Sequence, residues 1–325
     1  MLSIRNLPKN YKKSDLYLFE SELKKKLNTY EILNYKKAIL LNKLVITNKK
    51  IFNKEVFLFK LKKIDLFKFL IKEISLFLIR KKTFKKLEGK FLITTDHSNV
   101  YFHWTTEVLA KIVYLQNQNT NPDILINKKL MENEFIAYSL DMLNVQTTLV
   151  DSISLYKVKN LKFVNFDTSS GNYDKKIIND LSAKLRAKNQ TSQMNRIWIS
   201  RKSLNNRFIE NEDEIQSIFE KYQIVIVDPS EINYEDQIEL FQNCKFLSGL
   251  HGGGFTNMLF MPDSSTIFEI RQPKDNKNNC YFTLSSDLNH DYYYLESEYS
   301  KTNNPNSFYL NPNIFEKELH KIFSK

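Results

Sequence analysis

The chain has 325 residues, 42% of them hydrophobic and 26% charged, and a formal net charge of +11. This is the composition of a globular protein long enough for two domains of about 150 residues, and it contains no apolar run of the ~20 residues that a bilayer span requires. The charge favours anionic partners, whether nucleotide phosphates, an acidic membrane face or nucleic acid, and does not by itself choose among them.

In chain order, the first residues, Met1-Leu2-Ser3-Ile4-Arg5-Asn6, lack the apolar core and small-residue cleavage site of a secretory leader, which favours a cytoplasmic location. Leu66 to Ile79 is an apolar stretch whose polar positions Asp65, Lys68, Lys72 and Ser75 recur at three- and four-residue spacing, the pattern of an amphipathic helix. It lies within a basic segment, 62–86, flanked by Lys62, Lys63, Arg80, Lys81, Lys82, Lys85 and Lys86. Two readings stay open: a core helix with solvated ends, or peripheral attachment to the anionic inner face of the cytoplasmic membrane.

From Phe91 the pattern alternates. Strands are expected at Phe91–Thr94, Asp123–Ile126 and Val145–Val150, with helices over Trp104–Gln118 and Met131–Leu143 between them. The polar run Asp167–Asp174 with Gly171 is the expected linker. Beyond it come helix Lys175–Lys188, strand Arg196–Ser200, helix Asn211–Lys221, strand Ile224–Val227, helix Tyr234–Asn243 and strands Lys245–Ser248 and Thr266–Ile270. Strands alternating with helices predict βαβ units and a mostly parallel, doubly wound sheet in each half. The expected partition is an N-terminal domain of residues 1–166, a C-terminal domain of 167–312, and a final helix, 313–325, packing back on the N-terminal domain.

Four of the six glycines fall at positions 249, 252, 253 and 254, in Ser248-Gly249-Leu250-His251-Gly252-Gly253-Gly254-Phe255-Thr256-Asn257. Glycine is tolerated where bare backbone must approach a ligand, so a strand, a glycine turn and a helix start are expected here, aiming N–H donors at an anion. The P-loop spacing GxxxxGK[ST] is absent. Arg201, His251 and Arg271 each stand just past a strand's C-terminal end, where doubly wound sheets bind ligands. Ser200-Arg201-Lys202 with Arg207 supplies guanidinium groups suited to a diphosphate, or else forms a solvated basic loop. Asn211 and Glu212 follow, with Asn211 placed to cap a helix. Glu269 ends an apolar strand, either as acceptor for ribose hydroxyls or in a structural pair. In the first half, His103 and Glu107 are four residues apart on one helix face, beside Trp104 and downstream of Asp96 and His97. They read as a general base with its orienting partner, as two zinc ligands lacking an evident third, or as a locally packed helix start. Cys244 and Cys280 lack CxxC or zinc spacing and read as reduced, buried thiols.

Taken together, these segments resemble family 61 glycosyltransferases. His103-Trp104 with Glu107 is similar to the family's His-Trp-x-x-Asp segment, Glu replacing Asp. Ser200-Arg201 with Asn211-Glu212 is similar to its Ser-Arg and Asn-Glu segment. His251-Gly252-Gly253-Gly254-Phe255-Thr256-Asn257 with Glu269 is similar to its His-Gly-Ala-Gly-Leu-Thr-Asn block, Gly253 standing where alanine is usual. The resemblance spans residues 90–275. It implies a GT-B fold, two Rossmann-like doubly wound domains facing a central cleft, the N-terminal one acceptor-side and the C-terminal one binding the nucleotide-sugar. It implies inversion at the anomeric carbon with no obligatory metal or other cofactor, consistent with the absence of a DxD motif. Glu107, or His103 if the carboxylate only orients it, is then the base. His251, Arg201, Arg207, Asn211, Glu212, Gly252, Gly253, Gly254, Thr256, Asn257 and Glu269 form the donor site, while Thr105, Thr106, Asn257 and Arg271 are candidates for sugar selection. The implied partners are a nucleotide-sugar and a saccharide or lipid-linked saccharide acceptor, in capsule or lipopolysaccharide synthesis. A non-catalytic nucleotide- or nucleic-acid-binding protein is the alternative, against which stands the lack of an RNP-like aromatic motif, zinc finger or basic recognition helix.

Overall fold

The computed structural model describes residues 2–27, 29–41, 44–47, 51–53, 71, 75, 84–93, 96–152, 154–166, 170–186 and 195–324. Of the expected helix Leu66–Ile79, only Ile71 and Ser75 fall inside that set; the rest of it lies outside the described residues. The chain divides into two compact units, Asn28–Ser170 and a second made of Leu2–Leu27 with Gly171–Lys325. The junction falls inside the polar run expected as linker. The expected membership does not hold, because Leu2–Leu27 belongs to the second unit.

Buried contacts explain that assignment. Strand β1 (Leu2–Ile4) pairs antiparallel with β2 (Lys24–Lys26), and α1 (Leu16–Leu23) lies between them in sequence. Phe19 of α1 is fully buried against Phe282, Tyr292 and Tyr294. The Arg5 guanidinium meets the Asp287 carboxylate at 3.0 Å, with side-chain exposures of 0% and 1%. Asn10 clasps the backbone of Tyr294 with both amide atoms, at 2.7 and 3.2 Å.

Within the first unit, β3 (Glu31–Leu41), β4 (Leu44–Thr47) and β5 (Ile51–Asn53) form an antiparallel meander. β6 (Phe84–Glu88) and β7 (Phe91–Leu92) follow, then a helix built from α2 (Tyr101–His103), a π-helical turn (Trp104–Val108) and α3 (Leu109–Asn117). β8 (Asp123–Asn127), α4 (Glu134–Met142), β9 (Gln146–Val150) and β10 (Leu155–Asn165) complete it. Among the described residues the sheet order is β5-β4-β3-β10-β7-β8-β9, with β6 also on β10. β7, β8 and β9 run parallel, as expected, but β10 runs antiparallel to β3 over most of its length. The first unit is therefore a mixed sheet rather than a doubly wound parallel one. β10 alternates, with Tyr156, Val158, Leu161 and Phe163 buried and Lys157 and Lys159 outward, the period of a strand with one wet face.

The second unit contains α5 (Lys175–Leu185), β11 (Asn195–Ile199), β12 (Phe208–Ile209), α6 (Gln216–Lys221), β13 (Ile224–Val227) and α7 (Tyr234–Gln242). Next come β14 (Cys244–Leu250), β15 (Thr266–Arg271), α8 (Cys280–Asp287) and β16 (Asp291–Glu296). β17 (Glu298–Tyr299), β18 (Ser307–Tyr309) and α9 (Pro312–Phe323) end the chain. β13-β11-β14-β15-β16 form a sheet parallel throughout, and its central strands are apolar runs buried on both faces, as such sheets require. Asn311 caps α9, and Pro312 sits where its missing N–H costs nothing. Phe315 and Leu319 of α9 are fully buried in the core around Trp198, Phe219 and Phe268. The final helix thus packs on the second unit, not on the N-terminal domain, because its apolar stripe matches that core. Both cysteines are free thiols, Cys244 buried and Cys280 partly so.

Two stability measurements check this packing. Arg5→Ala leaves Asp287 buried without its cation and lowers the unfolding free energy of the second unit by about 3–5 kcal/mol, whereas Lys13→Ala stays within about 0.5 kcal/mol. His290 is buried, its Nδ1 accepting from Ser265 N–H and its Nε2 facing the Met258 carbonyl, and burial pushes its pKa down to about 4 from 6.5. The folded state holds the neutral ring and the unfolded chain takes the proton. The resulting stability is complete above the unfolded value of 6.5, is lost as pH falls to about 4, and amounts to about 3 kcal/mol. Urea unfolding shows this slope in the native protein and a flatter one in His290→Gln.

Candidate functional site

The strand order of the second unit places a topological switch point between β11 and β14: the chain leaves β11 toward β13 on one side and leaves β14 toward β15 on the other. Ligands bind such sheets beyond the strand ends at that point. Arg201 follows the end of β11, and His251 with the three glycines follows the end of β14. The helix expected after the glycines is a 3₁₀ segment, Gly253–Leu259.

Three of the four glycines have a reason in the geometry. Gly249 has φ of +153°, and a Cβ there would stand 2.9 Å from the Ile199 carbonyl. Gly252 is extended, and its need is contact: a Cβ would stand 2.0 Å from Arg201 Nη1. The guanidinium lies against bare loop backbone. Gly254 packs on Ile199, with Cβ distances near 3.0 Å, whereas a Cβ on Gly253 meets nothing within 4 Å. Arg201 Nε donates to the Arg207 carbonyl at 2.9 Å, and burial followed by the neighbouring Arg207 charge lowers its pKa. Asn205 and Arg207 hold left-handed φ values of 47° and 53° in that loop, strain of the kind that gathers at functional sites. Asp228, just past β13, lies in the field of Arg201 and accepts hydrogen bonds from Ser203 and Ser230.

His251 is fixed from behind. Its backbone N–H donates to the Ile270 carbonyl at 2.8 Å, and its Nδ1 hydrogen-bonds Glu269 Oε1. Tyr292 donates to the other oxygen, Glu269 Oε2. Glu269 is fully buried, so it serves His251 rather than a ribose. Arg271, also buried, donates to Asn279 Oδ1 and the Asp275 carbonyl, and its charge faces Tyr292 and Glu269.

Other predicted donor residues turn into the fold. The Asn211 amide bonds both backbone groups of Leu310 at 2.9 Å in place of capping a helix. Glu212 accepts from Trp198 Nε1 and Ser200 Oγ, both at 2.8 Å, fixing the strand end that delivers Arg201; burial raises its pKa. Asn257 donates to Gln237 Oε1 at 3.2 Å, and Thr256 is buried next to Tyr281.

In the first unit the π-helical turn Trp104–Val108 carries the other candidate pair. Leu109 N–H reaches back five residues to the Trp104 carbonyl, and π turns recur at functional sites. Trp104 is fully buried, its Nε1 donating to Ser139 Oγ at 2.9 Å. Thr105 and Thr106 are buried as well, Thr106 Oγ1 donating to the Phe102 carbonyl at 2.7 Å. His103 Nδ1 lies 2.8 Å from Glu107 Oε1, and Ser170 Oγ donates to the same oxygen at 2.8 Å. Both members of the pair are about one-fifth exposed (23% and 21%), and the His97 ring is 5.3 Å from that of His103. Lys111, one turn on, sits over the Phe163 ring; burial lowers its pKa and the Glu107 charge opposes that shift. Sequence reasoning missed Asp228, Lys111, Ser170 and Tyr292. Ser170 lay in a run read only as linker, and the strand carrying Tyr292 has no polar alternation to mark it. Among the described residues no group of three or more His, Cys, Asp and Glu side chains is arranged to hold a metal ion.

The family model of glycosyltransferase 61 matches residues 101–268, just over half of the chain and including both candidate pairs except Glu269. The EGF domain-specific O-linked N-acetylglucosamine transferase of Mus musculus is 30% identical over 95 residues, 28% of this chain and 18% of that protein. The Pan troglodytes protein of that name is 35% identical over 85 residues, covering 26% and 16%, and the Drosophila melanogaster one 34% over 82 residues, covering 24% and 15%. The matched stretch thus spans less than a fifth of each of these relatives.

The glycine geometry makes a sharp prediction. Gly253→Ala leaves unfolding free energy within about 0.5 kcal/mol of the native protein. Gly252→Ala displaces the far end of the Arg201 side chain, also stays within about 0.5 kcal/mol because that end can swing aside, and weakens calorimetrically measured pyrophosphate binding at least tenfold.

Proposed function

The chain belongs to the glycosyltransferase 61 family, and from that premise we propose that it moves a sugar from a nucleotide-sugar to an acceptor hydroxyl by a single inverting displacement that needs no metal. The observation that carries this reading is the Arg201 guanidinium lodged against Gly252 beside His251 at the switch point of a parallel sheet. Arg201, Arg207 and the loop N–H groups are suited to neutralise the diphosphate as its bond to the anomeric carbon breaks. With Nδ1 on Glu269, His251 has Nε2 left to meet a phosphate or sugar oxygen. The parallel sheet of the second unit supports reading it as the donor domain of a GT-B enzyme, the first unit being the acceptor-side domain.

Geometry favours His103 over Glu107 as the base. Glu107 Oε1 already takes hydrogen bonds from His103 Nδ1 and Ser170, so the carboxylate fixes the ring tautomer and Nε2 carries the lone pair. His103 Nε2 takes the acceptor proton, the acceptor oxygen bonds the anomeric carbon, and the electron pair of the broken bond leaves on the diphosphate. Glu107 stabilises the imidazolium formed.

The net charge of +11 and the basic segment 62–86 support a saccharide acceptor, free or lipid-linked, at the inner face of the cytoplasmic membrane in surface-polysaccharide synthesis. No helix among the described residues is long and apolar enough to cross a membrane. The relatives' names make N-acetylglucosamine the first donor sugar to test.

Calorimetric titration with UDP, GDP, CDP, CMP and their sugars, with and without EDTA, tests the donor site. Chelator-insensitive binding of one nucleotide, lost in Arg201→Ala and His251→Ala, is expected; binding of none makes the protein a non-catalytic member of the family. With a turned-over donor, His103→Ala lowers kcat about 10²–10⁴-fold, Glu107→Gln lowers it less, and neither changes nucleotide affinity.

A further inference from the structure

Behind His251 the second unit carries a buried polar chain whose last members the proposed reaction does not use. Glu269 is fully buried, Arg271 is 2% exposed and Tyr292 is 4% exposed. These side chains come from two neighbouring parallel strands, with Glu269 and Arg271 on β15 and Tyr292 on β16. A carboxylate without access to water needs all its donors from protein, and each oxygen of Glu269 has one: His251 on Oε1 and Tyr292 on Oε2. A carboxylate held at one oxygen alone can rotate about its terminal torsion, which is broad and two-fold. Held at both, it has one orientation.

We infer that Tyr292 is a positioning residue for His251: its hydroxyl fixes Glu269 so that Oε1 faces His251 Nδ1, which leaves Nε2 as the nitrogen presented to a ligand. This deepens the donor-site reading and rests on it for the ligand, but not for the orientation of the ring. His251 itself meets Glu269 from β15 and the Tyr281 ring from α8; Arg271 from β15, Cys280 from α8 and Tyr292 from β16 act on Glu269, and Arg201, from the loop after β11, acts on Tyr281 and lies against Gly252. Of these, Glu269 is the carboxylate in contact with the ring, and Arg271 and Tyr292 set how much of its charge remains for His251. Removing the Tyr292 hydroxyl takes a hydrogen bond from the charged form of Glu269. The His251–Glu269 pair then binds its shared proton more tightly, and its titration moves to higher pH.

Tyr292→Phe is the direct test. It deletes one oxygen and keeps the ring between Phe19 and Phe282, with centroids at 6.2 and 5.3 Å, so the core remains filled. The primary readout is nitrogen NMR of the imidazoles in the nucleotide-free protein, which has only five histidines to assign. His251 is expected as the Nδ1–H tautomer in the native protein, with a titration midpoint that rises in Tyr292→Phe. The same substitution in a Glu269→Gln background is expected to be silent, because Tyr292 acts through that carboxylate. Nucleotide affinity in Tyr292→Phe falls roughly tenfold or more, the scale of a hydrogen bond to a charged group. An unchanged His251 titration and tautomer in Tyr292→Phe overturns the inference, as does an undiminished effect in the Glu269→Gln background. A shifted titration with unchanged nucleotide affinity leaves the positioning role standing and rejects His251 as a donor-site residue.

Discussion

A single buried carboxylate organises the second unit. Glu269 has no exposed surface, and an uncompensated charge in that position costs several kcal/mol. Its compensation recruits His251 from the glycine loop, Tyr292 from the adjacent strand and Arg271 from its own strand. Arg271 then needs its own partners: Asn279 and the Asp275 carbonyl close two of its nitrogens, and its guanidinium carbon lies 5.4 Å from the centre of the Phe19 ring. Phe19 belongs to α1, so the requirement reaches back to the start of the chain. Asn279 extends the same route, its amide donating to the Leu18 carbonyl at 2.7 Å. The N-terminal segment is thereby tied to this network as well as by its own Arg5–Asp287 pair.

That dependence explains which parts of the fold the sequence disclosed. β11, β13, β14 and β15 are short apolar runs, and α7 carries its capping Asn233 in view, so local pattern and local chemistry agree. The membership of Leu2–Leu27 was hidden because its bonds span the chain: the partners Arg5 and Asp287 are 282 positions apart. No window of residues contains both. The antiparallel pairing of β3 with β10 is hidden in the same way, although the alternation of Tyr156, Val158, Leu161 and Phe163 was there to read. The candidate site residues divide along the same line. His103, Glu107, Arg201 and His251 announce themselves by residue type and spacing. Asn211 and Glu212 bear the same chemical labels yet serve Leu310, Trp198 and Ser200, and only packing distinguishes the two uses.

The glycine loop shows how a close approach, more than backbone freedom, dictates a residue. Gly252 has an extended φ that any residue adopts, yet the nearest guanidinium nitrogen occupies the space of its side chain. Arg201 gains a fixed place at the strand end, and Ser200, tied to Glu212, fixes the backbone that carries it. The cost is a half-buried cation near a second one, and burial with the Arg207 charge lowers the pKa of Arg201.

The two units each present a histidine whose Nδ1 is held by a carboxylate, and solvent exposure separates the uses proposed for them. His103 and Glu107 are 23% and 21% exposed, His251 and Glu269 are 9% and 0%. A base must return its proton to water after every turnover, which the wetter pair can do directly. The dry pair exchanges protons with solvent poorly, and its ring is locked by a backbone bond to Ile270 as well as by Glu269. Such a group suits a fixed donor toward charge that develops on a leaving group, where preorganisation in a low dielectric strengthens each hydrogen bond. The proposed division of labour between the two histidines therefore follows from burial, although their ring chemistry and their carboxylate partners are the same.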